Sequence, residues 1–182
     1  NRNRIVTAQG LQWLTVPVQM KGHIEKKFQE IEIEHTQNWR NKYLRTLQQT
    51  YSKAPFYKDI LPIIELISKE KTPYLASLNI EIIKTICDIL VLETECVLGS
   101  QLDVSGNKSQ LLVNILKEVK ATHYLMGKSG YEYIDLTLFQ EAKIKIIEHQ
   151  FEHPGYTQFN YKTAEILEKP SILDVIANLG AK

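Results

Sequence analysis

The sequence predicts a mixed α/β fold, a mostly parallel sheet with flanking helices and an inserted helical segment. Three observations carry this expectation. Between residues 93 and 148, strand-like and helix-like stretches alternate as strand, helix, strand, helix, strand. That order calls for crossover connections and parallel pairing. Between residues 38 and 92, apolar residues recur at helical spacing, punctuated by prolines. Finally, the apolar run His123–Met126 breaks into Gly127-Lys128-Ser129-Gly130, and α/β sheets place their ligand groups in such strand-end loops. The expected arrangement is Rossmann-like, in a single domain over residues 1–182.

Each element has its own signal. Residues 11–18, with Trp13, Thr15 and Val16, read as a strand, and Pro17 places it at an edge or a strand end. Phe28 to Ile33 alternates apolar and polar residues, the period of a half-exposed strand. Asn38 is placed to cap a helix carrying Trp39, Tyr43, Leu44, Leu47 and Tyr51 on one stripe, which reads as packing surface. Pro55 ends it. Residues 60–69 form a second helix, with Pro62 tolerated in its first turn. Ser77 or Asn79 caps a third, running through Ile82, Ile86 and Leu90. Residues 93–98 read as a strand, and Ser105 or Asn107 caps a helix over residues 110–119. Residues 121–126 form the next strand, residues 133–142 a short helix and residues 144–148 another strand. Ser171 and Gly180 bracket a last helix as N-cap and C-terminal glycine.

Composition narrows the class. The chain has 182 residues, 43% hydrophobic and 24% charged, with a net charge of +1. This is an ordinary globular balance, and no global field directs it to nucleic acid or an acidic membrane. No apolar run reaches the roughly 18 residues a membrane span needs, and no signal peptide is visible. Cys87 and Cys96 form no Cys-x-x-Cys pair and lie among apolar residues. Buried thiols and a reducing, cytoplasmic setting are expected. The five histidines fall into no His-x-x-His or His-Glu pattern, so no metal site is expected.

Two loops and a histidine hold the chemistry. The loop from Asp103 to Ser109 opens a helix, and Ser105 with Lys108 suits an anion there, although the Walker A spacing is absent. In the second loop, Gly127, Ser129, Gly130, Tyr133 and Asp135 offer backbone amides, a hydroxyl, a phenol and a carboxylate. His153 is the side chain best suited to proton transfer near neutral pH, with Asp135 or Glu132 as orienting partner. His123 and His149 fall inside strands and read as structural. A Ser129–His153–Asp135 triad can be drawn, but no nucleophile-elbow signature accompanies it. Asn3 and Arg4, in the block Asn1-Arg2-Asn3-Arg4, suit an anion or an array of sugar hydroxyls.

Several ordered pieces resemble the WbqC-like protein family, usually encoded in bacterial O-antigen and surface-polysaccharide gene clusters. They are Asn1-Arg2-Asn3-Arg4-Ile5, Trp13 to Val18, Tyr51-Ser52-Lys53-Ala54-Pro55-Phe56, Leu78-Asn79, Tyr124 to Gly127 with Tyr133-Ile134-Asp135, His153-Pro154-Gly155-Tyr156-Thr157-Gln158, and Ser171 to Asp174 with Asn178-Leu179-Gly180. Two departures stand out. Lys128 and Ser129 occupy a loop that is more often Ser-Gly-Pro-like, and residues 160–169 fit poorly. The family pattern also carries a further N-terminal strand region, expected ahead of Asn1. The resemblance implies acyl or aminoacyl transfer to a nucleotide-linked amino sugar, with His153 and Asp135 catalytic. Asn3, Arg4, Ser105, Lys108, Gly127, Ser129, Gly130, Tyr133, Tyr156 and Gln158 would hold the substrate. Nucleotide-dependent carboxylate activation and a non-catalytic module of a polysaccharide assembly complex are the alternatives. The expected partner is a small sugar nucleotide, with a nucleotide or acyl donor in the cofactor role and an oligomer compatible with either.

Overall fold

A computed structural model describes residues 1–22, 24–36, 38–161, 166–167 and 169–181. These residues separate into two compact units, one from Asn1–Glu93 with His153–Lys182 and the other from Thr94–Glu152.

The first unit opens with a hairpin, β1 (Arg2–Thr7) and β2 (Gly10–Thr15), paired antiparallel with Arg4 opposite Trp13. Gly10 has a positive φ of 104°, which the tight turn requires. The helical segment follows as α1 (Trp39–Tyr51), α2 (Leu61–Lys69) and α3 (Leu75–Ile89). Pro62 lies at the start of α2, as its missing N–H permits. The Arg40 guanidinium donates to the carbonyls of Ile67 (2.9 Å) and Glu70 (2.8 Å), which closes the end of α2 and ties it to α1. The last helix, α6, is Ile172–Leu179. Ile5, Leu14, Leu47, Tyr51, Ile63 and Ile176 are among the residues of one continuous core.

The second unit contains α4 (Lys108–Glu118), β3 (His123–Gly127), α5 (Leu136–Glu141) and β4 (Lys145–His149). β3 and β4 pair in parallel, with Leu125 opposite Ile147, and α5 links them. Val113, Phe139 and Ile144 form this unit's core. The architecture is therefore mixed α/β. Its sheets, among the described residues, are two strands wide, one antiparallel and one parallel, so the parallel pairing expected from the sequence is present as a single pair.

Four local expectations are corrected. Residues 93–98 form no strand, and Val97 is 50% exposed; β-forming side chains without a partner strand or a core to cover do not make one. Phe28–Glu30 is a 3-10 turn, held by the Lys27 N–H donating to the Glu30 carboxylate at 2.9 Å, with single bridges at Glu32 and Ile33 beyond it. α3 begins at Leu75 because its apolar face, Leu75, Ala76 and Leu78, begins there. Cys96 is exposed and Cys87 half-buried, since the strand that would have hidden Cys96 does not form. Of residues 160–169, residues 162–165 and 168 lie outside the described ones. Among the described residues no helix is long and apolar enough to cross a membrane.

Candidate functional site

α6 is apolar on nearly every side, yet it carries Asp174 at 1% exposure. The Tyr51 hydroxyl, at the end of α1, donates to Asp174 Oδ1 at 2.9 Å. The Tyr156 hydroxyl donates to Oδ2 at 2.7 Å. Burial pushes the Asp174 carboxyl above the usual aspartate range, and the two phenols, the Val6 backbone and nearby His153 oppose that rise. Burial also raises both phenols well above their ordinary range, with the Asp174 charge adding to it. Both phenols thus keep the proton that each donates to Asp174. Leaving a buried carboxylate without such donors would cost several kcal/mol, on the order seen for broken buried charge pairs.

His153 stands at the edge of this network. Its ring lies 5.7 Å from the Tyr156 ring, tilted by 30°, and it is half-buried. The Asp174 carboxyl lies within electrostatic reach of this ring, and an imidazole so placed is a candidate proton acceptor. Pro154 and Gly155 lead the chain from His153 to Tyr156.

Neighbouring polar groups fix the cluster. The Gln158 side chain donates to the Leu167 carbonyl (2.7 Å) and accepts the Leu167 N–H (2.9 Å), so its amide is engaged with backbone. Asn178 donates to the Asp174 carbonyl and accepts the Phe159 N–H, both at 2.7 Å. The Ser171 N–H donates to the Arg4 carbonyl at 2.6 Å, which fastens α6 to β1. The Arg4 guanidinium donates to the Lys169 carbonyl at 3.0 Å. Exposed Asn3 accepts the Arg4 N–H at 2.8 Å. The structure thus brings His153, Tyr156 and Gln158 together with Arg4 and Asn3 in one unit.

The remaining sequence-predicted residues belong to the 94–152 unit. Asp135, expected as a catalytic partner of His153, caps α5: its Oδ1 accepts the Thr137 N–H at 3.0 Å. The Asp135 N–H donates to Ser109 Oγ at 2.9 Å, so the two predicted loops do meet. Ser105, Lys108, Ser129 and Tyr133 have exposed side chains, Tyr133 at 69%. Asn107 takes the N-cap place of α4 without a side-chain capping bond, and the Ser105 carbonyl accepts from Asn114 at 2.8 Å. Gly127 is extended, with open space around it. Gly130 has a packing reason to be glycine: a Cβ there would run into the Met126 side chain, itself 2% exposed. Among the described residues no three His, Cys, Asp or Glu side chains are grouped to hold a metal.

Tyr51 and Asp174 are the residues that sequence reasoning missed. Tyr51 sits on the apolar stripe of α1 and reads as packing. Asp174 stands three residues after Ser171, the spacing of a capping box, which disguises it. The available signal was a lone carboxylate flanked by Leu173, Val175 and Ile176.

The chain is similar to "Uncharacterized protein Rv1507c" of Mycobacterium tuberculosis (strain ATCC 25618 / H37Rv), with 33% identity over 183 residues, covering 100% of this chain and 78% of that protein. No solved structure matches it. The profile of the WbqC-like protein family matches residues 1–182, the whole length of the sequence. With the ordered pieces from Asn1 to Gly180 now placed on the fold, the chain belongs to the WbqC-like protein family.

Proposed function

We propose that this protein is an enzyme of bacterial surface-glycan biosynthesis that transfers an acyl or aminoacyl group to the amine of a nucleotide-linked amino sugar in the cytoplasm. The observation that carries this reading is the half-buried His153 against Tyr156 and the buried Asp174. It is a proton-accepting group with a buried carboxyl behind it.

The chemistry needs little else. The amine lone pair attacks the carbonyl carbon of an activated acyl donor. A C–N bond forms, and the bond to the leaving group breaks with its electron pair going to that group. The surplus amine proton passes to the His153 ring. The Asp135 carboxylate organises the start of α5. Ser105, Lys108, Ser129 and Tyr133 are exposed groups suited to an anionic or hydroxylated ligand.

The test is transfer onto nucleotide-linked amino sugars, followed by mass spectrometry with a panel of acyl and aminoacyl donors. His153→Ala and His153→Gln should each lower turnover about 100-fold or more, the share general-base catalysis commonly supplies, with an unchanged circular dichroism spectrum. Full activity in both variants would remove His153 from the mechanism.

A further inference from the structure

A second feature of the first unit is not used by the His153 cluster. The outer strand of the hairpin and the start of α1 enclose a groove of about 530 Å³, a volume typical of small-molecule sites. Its rings are Trp13, Trp39 and Tyr43, and its polar groups include Gln12, Asn38 and Lys42. Trp13 is 52% exposed. Trp39 and Tyr43 form an edge-to-face wall with centroids 6.1 Å apart. Asn38 makes no capping bond to α1, which leaves its amide to the groove. Among the described residues, no carboxylate lines this space.

Trp13 also holds two cations. The Arg2 guanidinium lies 4.7 Å from its ring centroid and that of Arg4 lies 5.6 Å away. The register explains why: Arg4 is directly opposite Trp13, and Arg2 follows two residues along the same face. Like charges so placed repel. Among the described residues, the ion pairs join Lys26 to Glu32, Lys69 to Glu65 and Lys84 to Glu81, and none neutralises Arg2 or Arg4. Among the described residues, one Arg4 N–H goes to the Lys169 carbonyl.

Flat rings, side-chain amides and adjacent guanidiniums suit a ligand with an aromatic end joined to an anionic one. A neutral sugar would call for carboxylate acceptors, and among the described residues this lining has none. From this arrangement we infer that the groove, together with the guanidiniums on Trp13, binds the nucleoside diphosphate end of the substrate, the base against the exposed ring of Trp13 and the phosphates on Arg2 and Arg4, with the buried Trp39 and half-buried Tyr43 as fixed wall. Gln12 and Asn38 meet the base edge or the ribose. This deepens the proposed function and rests on it for the attached amino sugar, whereas binding of a free nucleotide requires no turnover.

The chain has two tryptophans, and both line the groove, so intrinsic fluorescence reports on it directly. Titrating the full chain with uridine, adenosine and guanosine diphosphates should give saturable quenching by at least one of them. Uridine, adenosine and guanosine alone, inorganic pyrophosphate alone and free glucosamine should each bind more weakly than that diphosphate. Arg2→Gln alters only an exposed side chain and should weaken binding about tenfold, as should Arg4→Gln, on the scale of one charge-assisted contact. Trp13→Leu should abolish most of the quenching while the circular dichroism spectrum is kept. The inference is overturned if no diphosphate quenches, if pyrophosphate binds as tightly as every nucleotide, if glucosamine binds while nucleotides do not, or if the arginine variants bind unchanged. Acyl transfer that proceeds without nucleotide-dependent quenching would refute the groove and leave the proposed reaction standing. Nucleotide binding without transfer would do the reverse.

Discussion

At the scale of single residues, Asp174 is the most constrained side chain. It accepts from both tyrosines, and neither partner can be removed without leaving a buried acceptor short of a donor. Tyr51→Phe and Tyr156→Phe should each destabilise the protein by about 1–3 kcal/mol, measured by urea unfolding. In Asp174→Asn the same tyrosine substitutions should cost less, because the charge they serve is gone. The pH dependence has a definite sign. Burial raises the folded carboxyl above its ordinary range, so its protonated form is favoured by folding. The associated stability is present below the ordinary aspartate range and is lost as pH rises through the raised folded value. Wild type should therefore lose stability relative to Asp174→Asn as pH increases from about 4, near the unfolded aspartate value. Thermal melts across that range check it, and a gap that widens in favour of wild type would show that the folded carboxyl lies below its ordinary range rather than above it. Little of this was legible in the sequence. Ser171-x-x-Asp174 has capping-box spacing, but the Ser171 N–H that such a box would use goes to the Arg4 carbonyl, and both carboxylate oxygens go to tyrosines. That pairing spans 123 positions along the chain for Tyr51, and no local pattern encodes it.

At the scale of elements, local rules worked where the signal was local. The helices over residues 39–51, 61–69, 108–118 and 172–179 follow from apolar stripes and from asparagine, proline or serine at their starts. Ser171 does cap α6, accepting the Leu173 N–H at 3.3 Å. Ser171→Ala should cost about 1 kcal/mol and, because α6 carries Asp174, should also reduce turnover. A stability loss with turnover fully retained would separate the helix start from the site. Residues 93–98 failed as a strand for the opposite reason: strand formation depends on a partner, and the sequence does not name one. Asp135 shows the same limit within a loop. Its position after two glycines suggested a ligand group, whereas the start of α5 takes its carboxylate. Gly130 was read as a loop glycine near a ligand, and its reason is the adjacent Met126. Gly130→Ala should destabilise the 94–152 unit without changing nucleotide quenching at Trp13 and Trp39.

At the scale of the whole molecule, the chain carries two separate apolar cores, one containing Leu47, Tyr51 and Ile176, the other Val113, Phe139 and Ile144. Phe139, at 1% exposure, anchors the smaller one. Phe139→Ala should cost about 3–5 kcal/mol there and raise amide exchange throughout residues 94–152. The slowest amides of α1 and α6 should keep their protection; joint loss would mean that the two cores unfold as one. Composition and periodicity made the α/β class and the helical segment readable, while the division into two units rests on long-range contacts that no window of sequence contains. The reaction is the central claim, and one measurement tests it most directly. Wild type and His153→Gln are incubated with nucleotide-linked amino sugars and acyl or aminoacyl donors, and the sugar nucleotide is weighed by mass spectrometry. The expected result is a mass gain of one acyl group on the amine with wild type, reduced about 100-fold in the variant. An unchanged amino sugar with every donor, or equal acylation by the folded variant, would contradict the account.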